Sequence, residues 1–443
     1  MKVLKHLFLT NRFYYAMGAF IALMALSYAV SPLLAVVQAA LIAFIVVLIA
    51  DGFVLFNKRV QVDAHRETAP LLSMGDDNEV ILTITNDSAI AFHSEIIDEL
   101  PKQFQIRNFS VRTPLKPFST FKHVYRLRPV ARGEYAFGNI HVFLSSRLGL
   151  LRRRITCEQS VVVPVYPSLI QMKKYELRIT NRTAHEHGIK KVRRIGHSYE
   201  FEHIKTYERG DDYRSINWKA TGRRAQLMVN QYEDERSQQV YCVIDKSRVM
   251  HMPFHGLSLF DYAVNASLVI SNIVLGKQDK AGLITFSDKP GAMIKASRRK
   301  TQLRSIMEAL YRDGEGLVEA DYESLYMAIR RLASSRSLIF LYTNFESTYA
   351  LQRVLPQLRR LNDQHLLVVV FFENTEIAAA SRVEEGDLED IYTQITAEHY
   401  TLTKVQIAQQ LKQYGILTML TRPENLTVDS INKYLELKSR GLI

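Results

Sequence analysis

Two uncharged runs near the N-terminus constrain this chain more than any other feature. Residues 13–30, FYYAMGAFIALMALSYAV, and residues 33–50, LLAVVQAALIAFIVVLIA, carry no charged side chain. Each is about long enough to cross the hydrocarbon of a bilayer as a helix. Ser31 and Pro32 between them mark a turn and a helix start, and Asp51 and Gly52 close the second run. The pair reads as a two-helix transmembrane hairpin within residues 1–58. Lys2, Lys5 and Arg12 precede it, while Lys58, Arg59 and Arg66 follow it. By the positive-inside tendency both ends, and everything after Lys58, lie in the cytoplasm. A cleaved signal peptide would not need the second run, and soluble core helices rarely lack charge over this length.

The remainder of the 443 residues exceeds what one hydrophobic core usually supports, so further units are expected. Residues 60–167 hold short alternating stretches, NEVILTITND (78–87), FKHVYRLRP (121–129) and RGEYAFGNIHVFL (132–144), and end in SVVVPVYP (160–167). Short strands without a long amphipathic helix predict a small β-sandwich-like domain. From residue 239 the rhythm changes. VYCVID (240–245), KAGLITFSD (280–288), SLIFLYTNF (337–345), HLLVVVFF (365–372) and GILTML (415–420) are apolar strands separated by helical stretches. That alternation predicts a doubly wound α/β domain over residues 239–443. Its functional edge is expected at the carboxyl ends of the strands, where Asp245, Asp288 and Asn344 fall. Residues 168–238 are rich in charge and read as a connector without regular structure.

That connector holds the only tryptophan, within ERGDDYRSINWKATGRRAQL (208–227). The stretch YERGDDYRSINWKATGRRAQLMVNQYEDE (207–235), followed by VYCVIDKSRVM, resembles the signature of the DUF58 family. RGEYAFG, SRLGLLRR, VYP and the C-terminal INKYLELKSRGLI resemble further parts of that family, so the likeness covers nearly the whole chain. It implies that the α/β domain is von Willebrand factor A-like and that the protein sits in a bacterial inner membrane with its bulk in the cytoplasm. It also implies a MoxR-type AAA+ ATPase as partner, in complex assembly or a chaperone-like action.

A metal-binding domain of that kind carries an aspartate–x–serine–x–serine loop, a threonine and a second aspartate, because Mg²⁺ requires hard oxygen ligands. Here Asp245 and Ser247 are present, but Val249 replaces the second serine, Ala320 stands about where threonine is expected, and Asn344 stands for the aspartate. The edge reads as vestigial, with Asp245 capping a helix or bonding nearby amides; no metal, Mg²⁺ included, and no other cofactor is expected.

Arg209, Gly210, Asp211, Asp212, Arg214, Asn217, Trp218 and Lys219 form the remaining candidate. The cations keep the paired carboxylates ionised, which argues against acid–base work. The motif reads instead as a structural linchpin, with Trp218 shielding an ion-pair network, or as a partner-binding surface. The competing enzymatic reading is metal-dependent catalysis by Asp211, Asp212 and Asp245 converging on one ion. The chain has no GxxxxGK[ST] phosphate loop and no GxSxG elbow. A net charge of +12 favours anionic neighbours, but the membrane offers the nearest such surface and nucleic-acid binding is not expected.

Overall fold

Long apolar runs and short alternating ones separate the chain into two compact units, Met1–Tyr166 and Pro167–Ile443. The computed structural model describes residues 6–27, 31–180, 199–208, 213, 216–224, 226–234, 237–314, 316–374, 377 and 388–442.

The first unit opens with strand β1 (Leu7–Leu9) and two helices, α1 (Asn11–Ser27) and α2 (Ser31–Leu55). Both helices follow the uncharged runs, but with different reach. Among the described residues of this unit, Leu34–Leu55 alone is long and apolar enough to cross a membrane by length and composition. The sequence predicts two such spans, over 13–30 and 33–50, and residues 28–30 of the first lie outside the described residues. As described, α1 covers Asn11–Ser27, about 26 Å at 1.5 Å per residue. Helix α2 runs past Asp51 instead of stopping there. The carboxylate accepts from Ser146 Oγ and, at 3.1 Å, from the Leu151 amide, so this charge is satisfied within the helix.

Ten further strands complete this unit: β2 (Val62–Glu67), β3 (Leu72–Ser73), β4 (Asn78–Asn86), β5 (Phe92–Asp98), β6 (Ser110–Leu115), β7 (Ser119–Leu127), β8 (Gly133–Phe137), β9 (Ile140–Ser145), β10 (Leu151–Cys157) and β11 (Val161–Tyr166). They form sheets ordered β1-β10-β9-β5-β6, β2-β4-β7 and β3-β11-β8. Burial alternates residue by residue along β2, β4, β5 and β9, as it must when one face of each sheet meets the core. This is the expected β-sandwich region. One buried charge pair ties β2 to β5. Arg66 donates to both oxygens of Asp98, Tyr125 Oη adds a 2.5 Å bond to Asp98, and Arg66 also donates to the carbonyls of Gly138 and Gln159.

The second unit begins with α3 (Leu169–Thr180), β12 (Tyr199–Thr206), α4 (Trp218–Arg224) and β13 (Met228–Asp234). The stretch 168–238 therefore holds regular structure and joins the α/β unit. Leu169, Met172 and Tyr175 pack on its core, and β12 and β13 pair antiparallel. Next come β14 (Gln239–Asp245), a short hairpin of β15 (Pro253–Phe254) and β16 (Leu257–Ser258), α5 (Leu259–Gly276), β17 (Lys280–Phe286) and β18 (Pro290–Ser297). The chain closes with α6 (Gln302–Arg312), α7 (Tyr322–Leu332), β19 (Leu338–Tyr342), α8 (Thr348–Gln364), β20 (Leu366–Phe372), α9 (Leu388–Gln413), β21 (Leu417–Thr421) and α10 (Leu426–Ser439). Six strands align as β18-β17-β14-β19-β20-β21, all parallel except β18. Helices α5, α6 and α10 cover one face, and α7, α8 and α9 the other. Helix α5 is apolar enough to pass for a span but is mostly buried, a core helix. The sheet is the predicted doubly wound α/β architecture, and β14 and β19 flank the point where its strand order reverses.

The Arg66–Asp98 pair makes a stability prediction. Asp98→Ala leaves a buried guanidinium without its counter-charge and should cost about 3–5 kcal/mol. Glu79→Ala removes only the exposed partner of Arg126 and should cost about 1 kcal/mol or less. Denaturant midpoints of the detergent-solubilised chain compare the two; equal midpoints would contradict the assignment.

Candidate functional site

Strand β14, QVYCVID, is buried from its second residue onward, as a central parallel strand covered on both faces must be. It delivers Asp245, which is 0% exposed, to the carboxyl edge at the switch point. One Asp245 oxygen accepts from the Ser247 amide at 2.9 Å and the other from Thr343 Oγ1 at 2.7 Å. Tyr322 Oη, on the first turn of α7, lies 2.8 Å from the same threonine hydroxyl. Burial raises the Asp245 carboxyl above its ordinary value, against the lowering effect of these hydrogen bonds. Asp245 thus bonds a nearby amide, as expected.

Asn344 follows β19 on the same edge. Its amide nitrogen donates to the Val249 carbonyl at 3.3 Å, and its oxygen accepts from Lys404 Nζ at 2.6 Å. Lys404 comes from α9 and is 1% exposed. Its ammonium also donates to the Phe345 carbonyl at 2.5 Å and lies 4.9 Å from the centre of the Tyr400 ring. Burial lowers its pKa to about 7, partly offset by the Glu346 carboxylate.

This donor set does not fit a divalent ion. Both Asp245 oxygens serve internal donors, the Asn344 oxygen faces an ammonium group, and Val249 and Ala320 bring no side-chain oxygen. A divalent ion needs several free hard oxygens, and this set leaves none of the named ones free. Sequence reasoning found Asp245, Ser247 and Asn344 but missed Thr343, Tyr322 and Lys404. The lysine had a signal. Ala397, Tyr400, Lys404, Ile407 and Leu411 recur at helical spacing, so Lys404 stands on the core-facing stripe of α9.

The tryptophan motif lies elsewhere. Arg209, Gly210, Asp211, Asp212 and Arg214 fall outside the described residues, so the convergence of Asp211 and Asp212 with Asp245 lies outside them too. Asn217 is held firmly: its amide N–H donates to the Met228 carbonyl at 2.9 Å and its side-chain nitrogen to Asn230 Oδ1 at 2.8 Å. Its side-chain oxygen accepts from the Ala220 amide at 2.9 Å, which makes it the N-cap of α4. Thr221 Oγ1 accepts from the Met228 amide at 3.0 Å and ties the helix to β13 a second time. On this frame Trp218 takes the first helical position and is 71% exposed, with Lys219 exposed beside it. An exposure of this size runs against the expected shielding role, whose charges at 209, 211, 212 and 214 lie outside the described residues. The cap aims the ring outward into solvent.

Residues 203–408 match the family described as "Protein of unknown function DUF58". The match takes in a little under half of the chain, and over that stretch the chain is similar to the DUF58 family. The uncharacterized protein YeaD of Bacillus subtilis (strain 168) is 28% identical over 164 residues, covering 37% of this chain and 38% of that protein. The match thus spans well under half of that relative's length. Among solved structures, BatB from Bacteroides thetaiotaomicron aligns with 13% identity and a TM-score of 0.32 over 46% of this chain and 100% of that one. The CARDB domain of a Pyrococcus furiosus protein aligns with 9% identity and a TM-score of 0.18, over 24% of this chain and 90% of that one. At these scores the fold assignment rests on the strand order and register described above.

Lys404 makes the edge sensitive to pH in a defined direction. Its folded pKa of about 7 lies below the ordinary 10.5. Between those values the unfolded chain binds a proton that the folded chain does not, so stability rises with pH. The slope from this group is at most about 1.4 kcal/mol per pH unit. Urea midpoints of the wild type relative to Lys404→Met should therefore increase across that window. A difference between the two chains that stays constant with pH would contradict the assignment.

Proposed function

We propose that this DUF58-like protein is a membrane-anchored, non-enzymatic interaction protein whose α/β unit engages a partner in the cytoplasm. The observation that carries the reading is the presentation of Trp218: an exposed indole on a capped helix turn whose backbone is bonded to β13. Large aromatic side chains held rigidly in solvent bring contact area with little ordering entropy, and tryptophan leads among interface anchors. At the sheet edge, Asp245 and Lys404 are buried and hydrogen-bonded to their own chain, which supports binding over chemistry there.

The anchor in this reading is the α1–α2 pair. Helix α2 leaves large side chains such as Ile42, Val46 and Ile49 exposed along its length, a surface suited to lipid. Arg12 at one end and Lys58 and Arg59 at the other support exits on the cytoplasmic side of a bacterial inner membrane. The expected partner, from the family resemblance, is a MoxR-type AAA+ ATPase, with this chain as scaffold in complex assembly or a chaperone-like step.

Affinity capture from detergent-solubilised membranes tests the docking surface. The wild type should retain a MoxR-type ATPase, and Trp218→Ala should lose it while melting within about 0.5 kcal/mol of wild type, as exposed positions do. Retention by the variant, or no such ATPase with the wild type, would overturn the reading. Topology is tested separately. A reporter fused after Ile443 should be active only if it functions in the cytoplasm, and activity of a reporter restricted to the outside would overturn the placement.

A further inference from the structure

The turn between β9 and β10 is tied to the roots of both N-terminal helices. On the α1 side, Thr10 Oγ1 donates to the Gly149 carbonyl at 2.6 Å, and the Thr10 amide donates to the Leu150 carbonyl at 3.2 Å. Arg12 Nη1 donates to the Leu148 carbonyl at 3.3 Å. On the α2 side, the buried Asp51 carboxylate accepts from Ser146 Oγ and from the Leu151 amide. Arg153 then caps the end of α2 by donating to the Leu55 carbonyl at 2.8 Å. Gly149 closes the turn at φ +66°, and a Cβ there would lie 3.3 Å from the Arg12 guanidinium. The turn therefore cannot leave the level of Thr10 and Asp51 without breaking bonds to both helices.

That level is where the hydrocarbon must end. From Leu34 to Asp51, α2 rises about 26 Å, close to a bilayer's apolar thickness, and Arg12 and Asp51 are the first charges met on the two helices. The turn's tip carries Leu148, 52% exposed, and the exposed Arg147 next to it. Beside them lies Arg12, bonded to the Leu148 carbonyl. An apolar tip set between guanidinium groups fits the headgroup boundary, where the leucine enters the upper acyl region and the guanidiniums fork onto lipid phosphate.

We propose that the β9–β10 turn is an interfacial wedge for anionic phospholipid: Leu148 inserts at the acyl boundary and Arg12 and Arg147 bind the charged headgroups. The wedge holds the β-sandwich at a fixed height on the bilayer. The proposal rests on the membrane-anchored reading, and its test keeps the two apart.

The full chain is reconstituted in nanodiscs of phosphatidylglycerol, or of phosphatidylcholine, after labelling Leu148→Cys with an environment-sensitive fluorophore. Cys157 and Cys242 are buried, and burial raises both thiols, so the label goes to the new site. The expected result is a blue-shifted emission that lipid brominated high on its acyl chain quenches. Both effects should weaken in phosphatidylcholine and in Arg147→Gln. A second label at Ile42→Cys, mid-way along α2, reports whether the helices are in the bilayer at all. Quenching at Ile42→Cys with none at Leu148→Cys overturns the wedge and leaves the anchor standing. Quenching at neither position overturns the anchor and the wedge together. Equal quenching of Leu148→Cys in the two lipids overturns the assignment to anionic phospholipid.

Discussion

A lysine amino group buried against two carbonyl oxygens is the interaction on which the carboxyl edge of the sheet depends. Lys404 occupies a core position of α9 and reaches Asn344 and Phe345. A desolvated charge is tolerated there because the oxygens replace part of its hydration and the Tyr400 ring faces it. An asparagine at position 344 supplies an oxygen without bringing a second charge into the low-dielectric edge. With the Asn344 oxygen taken by Lys404, Asp245 bonds inward, and Ser247 and Thr343 satisfy it. Strands β14 and β19, on the two sides of the switch point, are thereby closed at the end where α/β sheets usually admit ligands.

Closing that edge moves attention to two surfaces. One is the helix turn that carries Trp218, which belongs to the DUF58 match and is fixed by Asn217 and Thr221. The other is the root of the helix pair, where Asp51 and Thr10 bind the β9–β10 turn. Both follow one physical pattern: a short element is made rigid by backbone hydrogen bonds and exposes one large side chain. In our reading the first surface meets a protein partner and the second meets lipid, and the two units divide the tasks of docking and anchoring.

Much of this was legible in the sequence, for reasons particular residues make clear. The apolar strands β14, β17, β19 and β20 announce a sheet covered on both faces, and the period-two pattern of β4 and β9 announces a one-sided sheet. Other elements were hidden by context. Strand β18, PGAMIKAS, is an antiparallel edge whose pattern is too weak to read without its partner β17. Helix α2 continues through Asp51 because a distant turn satisfies that carboxylate. The exposure of Trp218 was missed because local charge suggested a shield, although Asn217 directly before it already signalled an N-cap. Lys404 escaped notice because a charged residue on an apolar stripe looks like a gap in the stripe. Only the position of Asn344 across the fold explains it.

The claim that internal donors close the sheet edge is tested most directly by titrating the detergent-solubilised chain with Mn²⁺ and following the free ion by electron paramagnetic resonance. The account predicts no saturable site, for the wild type and for Asp245→Asn alike, because the Asp245 and Asn344 oxygens already serve donors of the chain. Stoichiometric Mn²⁺ binding by the wild type that Asp245→Asn abolishes would contradict it.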